Sequence, residues 1–137
     1  MTLNKVFIDT SWYKALVDIH DDFHKKALDQ SKKLILHESH FITTNFIIDE
    51  TFTLLRVRRS LEVSLKFRNL LVDMNTITKI YRILPQDEVK AWKWFPNNWS
   101  KLSFTDCTSF AVMKRLELKS VATFDDHFAR AGFDMLS

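Results

Sequence analysis

Thr105-Asp106-Cys107-Thr108-Ser109-Phe110-Ala111-Val112-Met113, followed a few residues later by Ser120-Val121-Ala122-Thr123-Phe124-Asp125-Asp126, is the stretch on which the fold turns. The first run reads as a helix over about 105–116, entered from Leu102-Ser103-Phe104. The second reads as a core strand over 120–123, with a short helix over 125–130 that stops at Gly132. A short apolar strand between helices belongs to a parallel sheet, whose strands are buried on both faces. The pattern recurs at the start of the chain, where Val6-Phe7-Ile8 ends at Asp9 and Thr10-Ser11 begins a helix. Working outward, helices are predicted over 11–19 and 22–38, with Asp21 or Asp22 able to cap the second. Phe41-Ile42-Thr43 is another short strand, and Asn45 caps a helix to about 59. A helix over 61–71, a β-rich segment over 76–84, and a helix opened by Pro85-Gln86-Asp87-Glu88 complete the series. Strands alternating with helices give an α/β class, a three-layer single domain with a central parallel β-sheet flanked by helices.

Composition agrees. A chain of 137 residues with 46% hydrophobic and 27% charged residues is ordinary globular material, sized for one core spanning 1–137. Its longest apolar runs are three or four residues, far short of a membrane span, so no membrane partner is expected. The opening Met1-Thr2-Leu3-Asn4-Lys5 leads into an apolar run too short for a secretory leader, and a cytoplasmic setting follows. The single cysteine, Cys107, excludes an internal disulfide framework and a cysteine-rich zinc module. One Gly and two Pro exclude a glycine-rich phosphate loop. Net charge is only +3, but Arg56, Arg58, Arg59, Lys66 and Arg68 cluster around a lone acid, Glu62. Such a run is either a solvated helix face or a phosphate-binding surface.

The informative residues are acids placed where a core-building sequence would not put them. Asp9 closes the first strand, at the carboxyl end where open α/β sheets hold their ligands, although a helix-start acid looks the same. Glu50 shares a helical face with Ile47, Leu54 and Val57. A carboxylate there is costly unless it binds a metal or pairs with a nearby arginine. Asp106 lies beneath Phe110 and Met113 at a helix start, where the macrodipole also favours an acid. Asp125 follows the last strand with Asp126 beside it, and one of the two is a plain helix-start acid. If the strands carrying Asp9, Ser103 and Thr123 are neighbours, three or four carboxylates converge at one sheet edge and repel one another. A divalent cation relieves that repulsion, and oxygen ligands favour Mg²⁺ or Mn²⁺ over zinc. Phosphodiester hydrolysis without a covalent intermediate suits such a site.

Other chemistries are weaker. The pairs His20/His24 and His37/His40 could each share a helix face but lack a second ligand pair for zinc. Cys107 has no base partner and reads as packing. No Gly-x-Ser-x-Gly elbow is present. Trp92, Trp94 and Trp99, interleaved with Lys90, Lys93 and Lys101, form either a stacking platform for RNA bases or, more simply, a packed helix and its exit loop.

Four segments carry a family likeness. Phe7-Ile8-Asp9-Thr10-Ser11, Asn45 through Glu50 to Leu55, Leu102-Ser103-Phe104-Thr105-Asp106-Cys107 onward to Met113, and Ala122-Thr123-Phe124-Asp125-Asp126-His127-Phe128 resemble, in order, the signature of the PIN-domain nucleases, specifically the VapC-type toxins of toxin–antitoxin pairs. The resemblance implies a Mg²⁺-dependent endoribonuclease with Asp9, Glu50, Asp106 and Asp125 as metal-binding and catalytic acids, Mn²⁺ being a possible substitute. It further implies Asp126 as an occasional helper and Ser103 and Thr123 as hydrogen-bonding support. An RNA substrate, a cognate antitoxin that enters the active-site groove and a homodimer follow from the same likeness. Residues 56–101 carry the least of it. Two other functions stay open at this point: a non-catalytic nucleic-acid-binding module, and a PIN-type nuclease acting on structured DNA.

Overall fold

The computed structural model describes residues 4–137; the first three residues, part of the segment read for a leader, lie outside it. Strands β1 (Lys5–Ile8), β2 (His40–Thr44), β3 (Thr78–Tyr81), β4 (Ser120–Ala122) and β5 (Asp134–Met135) form one sheet in the order β3-β2-β1-β4-β5. Every pairing is parallel, with Phe7 of β1 opposite Ile42 on one side and Val121 on the other. The helices between them are α1 (Thr10–Val17), α2 (His24–Leu36), α3 (Asn45–Arg58), α4 (Leu61–Asp73), α5 (Pro85–Ala91), α6 (Phe104–Arg115) and α7 (His127–Arg130).

The chain runs outward from β1 to β2 and β3, then crosses back to lay β4 on the other side of β1. Right-handed crossovers therefore put α1–α4 on one face and α5–α7 on the other, which makes the expected three layers. Val6, Phe7 and Ile8 are all buried, as a central strand covered on both faces requires. Helix α6 is buried continuously from Asp106 to Met113. Its lack of a polar face marks it as the inner helix, walled by neighbours that include α3, α5 and α7. Among the described residues no helix is long and apolar enough to cross a membrane.

Several local readings change. Leu102-Ser103-Phe104 is not a strand: Ser103 is the N-cap of α6, its hydroxyl accepting from the Asp106 amide at 3.0 Å. Thr44, not Asn45, caps α3 by accepting from the Ile47 amide at 3.1 Å. The Asn45 side chain reaches across instead to accept from the Ile83 amide at 2.8 Å, tying α3 to the chain leaving β3. Helix α2 has no side-chain cap; Asp21 accepts from the Phe23 amide one turn earlier. The buried face of α3 is Ile47, Thr51 and Leu55, and Val57 is 75% exposed. Glu50 therefore sits beside that stripe, half-buried, rather than within it. Strand β5 went unread, because two residues carry no periodicity.

The three clustered tryptophans do separate jobs. Trp94 is buried edge-on against Phe110, Trp99 stacks beside His127, and Trp92 stays exposed against Phe95 and Phe104. Packing accounts for two of them. Cys107 is fully buried, and burial with the nearby Asp106 charge pushes its thiol up to about 11, which makes it inert as a nucleophile.

Candidate active site

Strand order reverses beside β1, so the carboxyl ends of β1 and β4 lie next to each other at the topological switch point, where α/β sheets open a crevice. Asp9 follows β1 there and caps α1, while Thr123 and Asp125 follow β4. A cleft of about 440 Å³ at this position is lined by Asp9, Glu50, Asp106 and Asp125, with Lys14, Arg58 and Lys101 among its rim residues. All four acids singled out in the sequence thus come together, from four separate segments of the chain.

Each carboxylate is held by short local contacts. Asp9 is buried, and its Oδ2 accepts from the Thr123 hydroxyl at 2.8 Å and the Ser11 hydroxyl at 2.9 Å. The Ser11 hydroxyl also lies 3.1 Å from that of Thr123 and accepts from the Phe124 amide at 3.0 Å, which stitches the ends of β1 and β4 together. Asp106 accepts from the Ser103 amide at 3.1 Å while Ser103 caps in return, a reciprocal capping box. Asp125 closes a tight turn, accepting from the His127 amide at 2.9 Å as its own amide donates to the Thr123 hydroxyl at 3.0 Å. Thr123 and Ser103 thus support the acids as the sequence suggested. Asp126 is exposed and does not line the acid cleft.

His127 and Ser11 were not singled out from the sequence. The His127 Nδ1 lies 3.2 Å from Asp106 and 2.9 Å from Asp125, and its Nε2 lies 2.7 Å from the Ser100 carbonyl. A carbonyl only accepts, so Nε2 carries a proton; carboxylate oxygens ask for a second on Nδ1. The geometry therefore matches an imidazolium, a counter-charge built into the acidic cluster. The only signal in the sequence was a histidine two residues after an acid at a strand end, which is common on surfaces.

Electrostatics agree with crowding. Burial first, then the charges of Asp106 and Asp125, push Asp9 up to about 7, against the hydrogen bonds from Thr123 and Ser11. Asp106 rises to about 6 through burial and the charges of Asp125 and Glu50, opposed by the Ser103 amide and His127. Burial alone would lower His127, but the Ser100 carbonyl, Asp125 and Asp106 outweigh it and hold it above the usual imidazole range.

Such a cluster fits a divalent cation. Oxygens of Asp106 and Asp125 lie within 4.8 Å of each other, and Asp9 and Glu50 line the same cleft. The four carboxylates are therefore the donor set, while protonated His127, with no lone pair to offer, stands beside it. All three shifted groups hold protons more tightly in the folded state than in the unfolded chain. The sign follows: between about pH 4 and pH 8 the metal-free fold loses stability as pH rises. Asp18, lowered by the His20 amide and by Arg59 and Lys14 although burial opposes them, acts in the opposite sense only below its ordinary range. A melting temperature in EDTA that falls from about pH 5 to about pH 8, with excess Mg²⁺ restoring more at the higher pH, is the expected result. A melting temperature that rises with pH in EDTA would contradict the crowding.

Comparison with known proteins places this geometry. The PIN domain family model matches residues 6–134. The chain is 30% identical over 131 residues to the 23S rRNA-specific endonuclease VapC20 of Mycobacterium tuberculosis, covering 93% of this chain and 95% of that protein. It superposes on the crystal structure of that VapC20, described as a sarcin-ricin loop cleaving toxin, with a TM-score of 0.79 at 29% identity over 93% of this chain and 95% of that one. The FitAcB structure from Neisseria gonorrhoeae shares the fold, with a TM-score of 0.68 at 13% identity over 96% of each chain.

Proposed function

The chain belongs to the PIN-domain family, and from that premise we propose that it is a Mg²⁺-dependent endoribonuclease, the toxin of a toxin–antitoxin pair, that hydrolyses RNA phosphodiester bonds at the cleft holding Asp9, Glu50, Asp106 and Asp125. The observation that carries the proposal is the convergence of those four carboxylates at the switch point of the sheet. They are the residues that would hold the cation, with Mn²⁺ as a substitute. When bound, the cation supplies Lewis-acid polarisation of the phosphodiester and a lowered pKa for a water nucleophile.

The protein's own groups do the positioning. Thr123 and Ser11 fix one oxygen of Asp9, and the capping box fixes Asp106 on the rigid end of α6. His127, anchored on the Ser100 carbonyl, orients Asp106 and Asp125 together. Arg58 and Lys101 on the rim draw the phosphate backbone toward an otherwise anionic cleft. Among the five clustered cations, Arg59 is spent on a structural pair with buried Asp18 at 3.0 Å, which leaves Arg58 as the one that faces the site.

A homodimer and an antitoxin belong to the same proposal. Val57, Leu61 and Leu65 are exposed at the junction of α3 and α4, next to the cleft wall that carries Glu50 and Arg58. The test is cleavage of a mixed RNA pool by the purified protein in Mg²⁺ or Mn²⁺, with EDTA and Asp106→Asn as parallel controls. Cutting abolished by both supports the assignment; cutting that survives Asp106→Asn rules out the mechanism. Binding without cutting would favour a non-catalytic module, and preference for DNA in a matched panel would favour a structure-specific DNA nuclease.

A further inference from the structure

Beyond Asp125 the cleft continues into a second hollow of about 370 Å³. It shares Lys101 and Asp125 with the acid cleft and adds Phe124, Asp126, His127 and Arg130, so two carboxylates stand among its cations. Lys101 stands between the two in a left-handed backbone conformation, φ 62°, which is uncommon for a residue with a side chain. Next to it, His127 Nε2 grips the Ser100 carbonyl at 2.7 Å. Among the described residues neither Lys101 nor Arg130 has an ion-pair partner. At the same place Phe23, from the loop before α2, stacks on Phe124 with centroids 4.5 Å apart and planes within 6°. Phe23 is 46% exposed, and the Lys26 ammonium lies 6.0 Å from the Phe124 ring centre.

A branched aliphatic side chain would cover the loop equally well. A flat aromatic pair beside unpaired cations is what an unpaired nucleotide needs, since its base offers a free face and its phosphate a charge. Building on the RNA-hydrolase reading above, we propose that this hollow is the subsite for the nucleotide next to the scissile phosphate. The base stacks on the Phe23–Phe124 pair, and the adjoining phosphate takes Lys101 and Arg130. A base inside a duplex has no free face, so the subsite takes an unpaired nucleotide.

The test reads binding, independently of cleavage. A fluorescein-labelled single-stranded oligoribonucleotide is titrated, in EDTA, against Asp106→Asn protein and against the same protein with Phe23→Leu, Phe23→Tyr, Lys101→Ala or Arg130→Ala. Phe23→Leu keeps apolar bulk for the loop but removes the flat face, and is expected to weaken binding about tenfold; Phe23→Tyr restores it. Lys101→Ala and Arg130→Ala each lower the slope of log affinity against log salt by about 0.7. A Phe23→Leu protein that binds like its parent, a Phe23→Tyr protein no better than Phe23→Leu, or duplex RNA bound as tightly as single strands would overturn the subsite. Absence of cleavage by the unmodified enzyme, with these binding effects intact, would instead count against the hydrolase reading alone.

Discussion

Asp9→Asn is expected to lower RNA cleavage by on the order of a thousandfold and, in the same protein, to raise the stability of the metal-free fold. The two effects share one cause. Burial first, and then the charges of Asp106 and Asp125, push the Asp9 carboxyl from 3.8 up to about 7, so at pH 8 the folded state carries a charge it would rather shed. Removing that charge returns an amount of the order of a few kcal/mol. Asn keeps the shape and an acceptor oxygen for the Ser11 and Thr123 hydroxyls, so the junction of β1 and β4 stays closed. What is lost, on the proposed function, is one of the four carboxylates that would hold the cation. A thermal melt in EDTA near pH 8, run beside a cleavage assay, separates the outcomes. A protein that becomes both inactive and less stable would make Asp9 a structural helix cap, the humbler reading its position allows. Asp106→Asn should lose cleavage as fully but gain less stability, because His127 gives up a charged partner with it.

This opposition between stability and activity is also why the site could be read before the fold was seen. A sequence under no functional demand does not end a central strand such as Val6-Phe7-Ile8 with an acid and then bring Asp106 and Asp125 to the same place. The strands were legible for a related reason. Parallel strands buried on both faces are unbroken apolar runs, and Val6–Ile8 and Val121–Ala122 stand out against their helical surroundings. Glu50 was reached by a poorer argument, since the periodicity put it inside a buried stripe that is in fact Ile47, Thr51 and Leu55. One helical position separates the two faces, and a window of a few residues does not resolve it. His127 stayed hidden because its role depends on a carbonyl 27 residues away at Ser100 and on a carboxylate on another helix. Asn45 misled in the same manner: its local pattern suggests a cap, but Thr44 takes that role and Asn45 pairs with Ile83, beyond β3. Local patterns announce strands, caps and odd charges. Contacts between distant polar groups leave little local trace.

Asp87→Ala is expected to cost about 3–5 kcal/mol of stability, the largest single loss outside the apolar core. Nothing around Asp87 in the sequence says so; Pro85-Gln86-Asp87-Glu88 looks like an ordinary helix start. In the fold Asp87 is fully buried, and its two oxygens are shared among three donors. Oδ1 accepts from Arg115 Nε at 3.0 Å, while Oδ2 accepts from Arg115 Nη2 at 3.0 Å and from the Leu84 amide at 2.9 Å. One carboxylate therefore opens α5 and clamps the last turn of α6, where a cation also suits the helix dipole. Truncation strands a guanidinium whose side chain is only 23% exposed, together with a helix-start amide. The partial exposure of Arg115 lets water recover some of the loss and sets Asp87→Asn, which keeps an acceptor for Leu84, below Asp87→Ala. Urea unfolding followed by tryptophan fluorescence reports the change directly, because Trp94 packs edge-on against Phe110 of α6. A loss under about 1 kcal/mol would mean that the pair is decorative. Pairing Asp87→Leu with Arg115→Met should recover most of the stability, since no buried charge is then left alone. Cleavage below the melting transition should persist in that double variant. The end of α6 that carries Asp106 is held separately, by the Ser103–Asp106 capping box at its opposite terminus, so the clamp and the proposed site can fail independently.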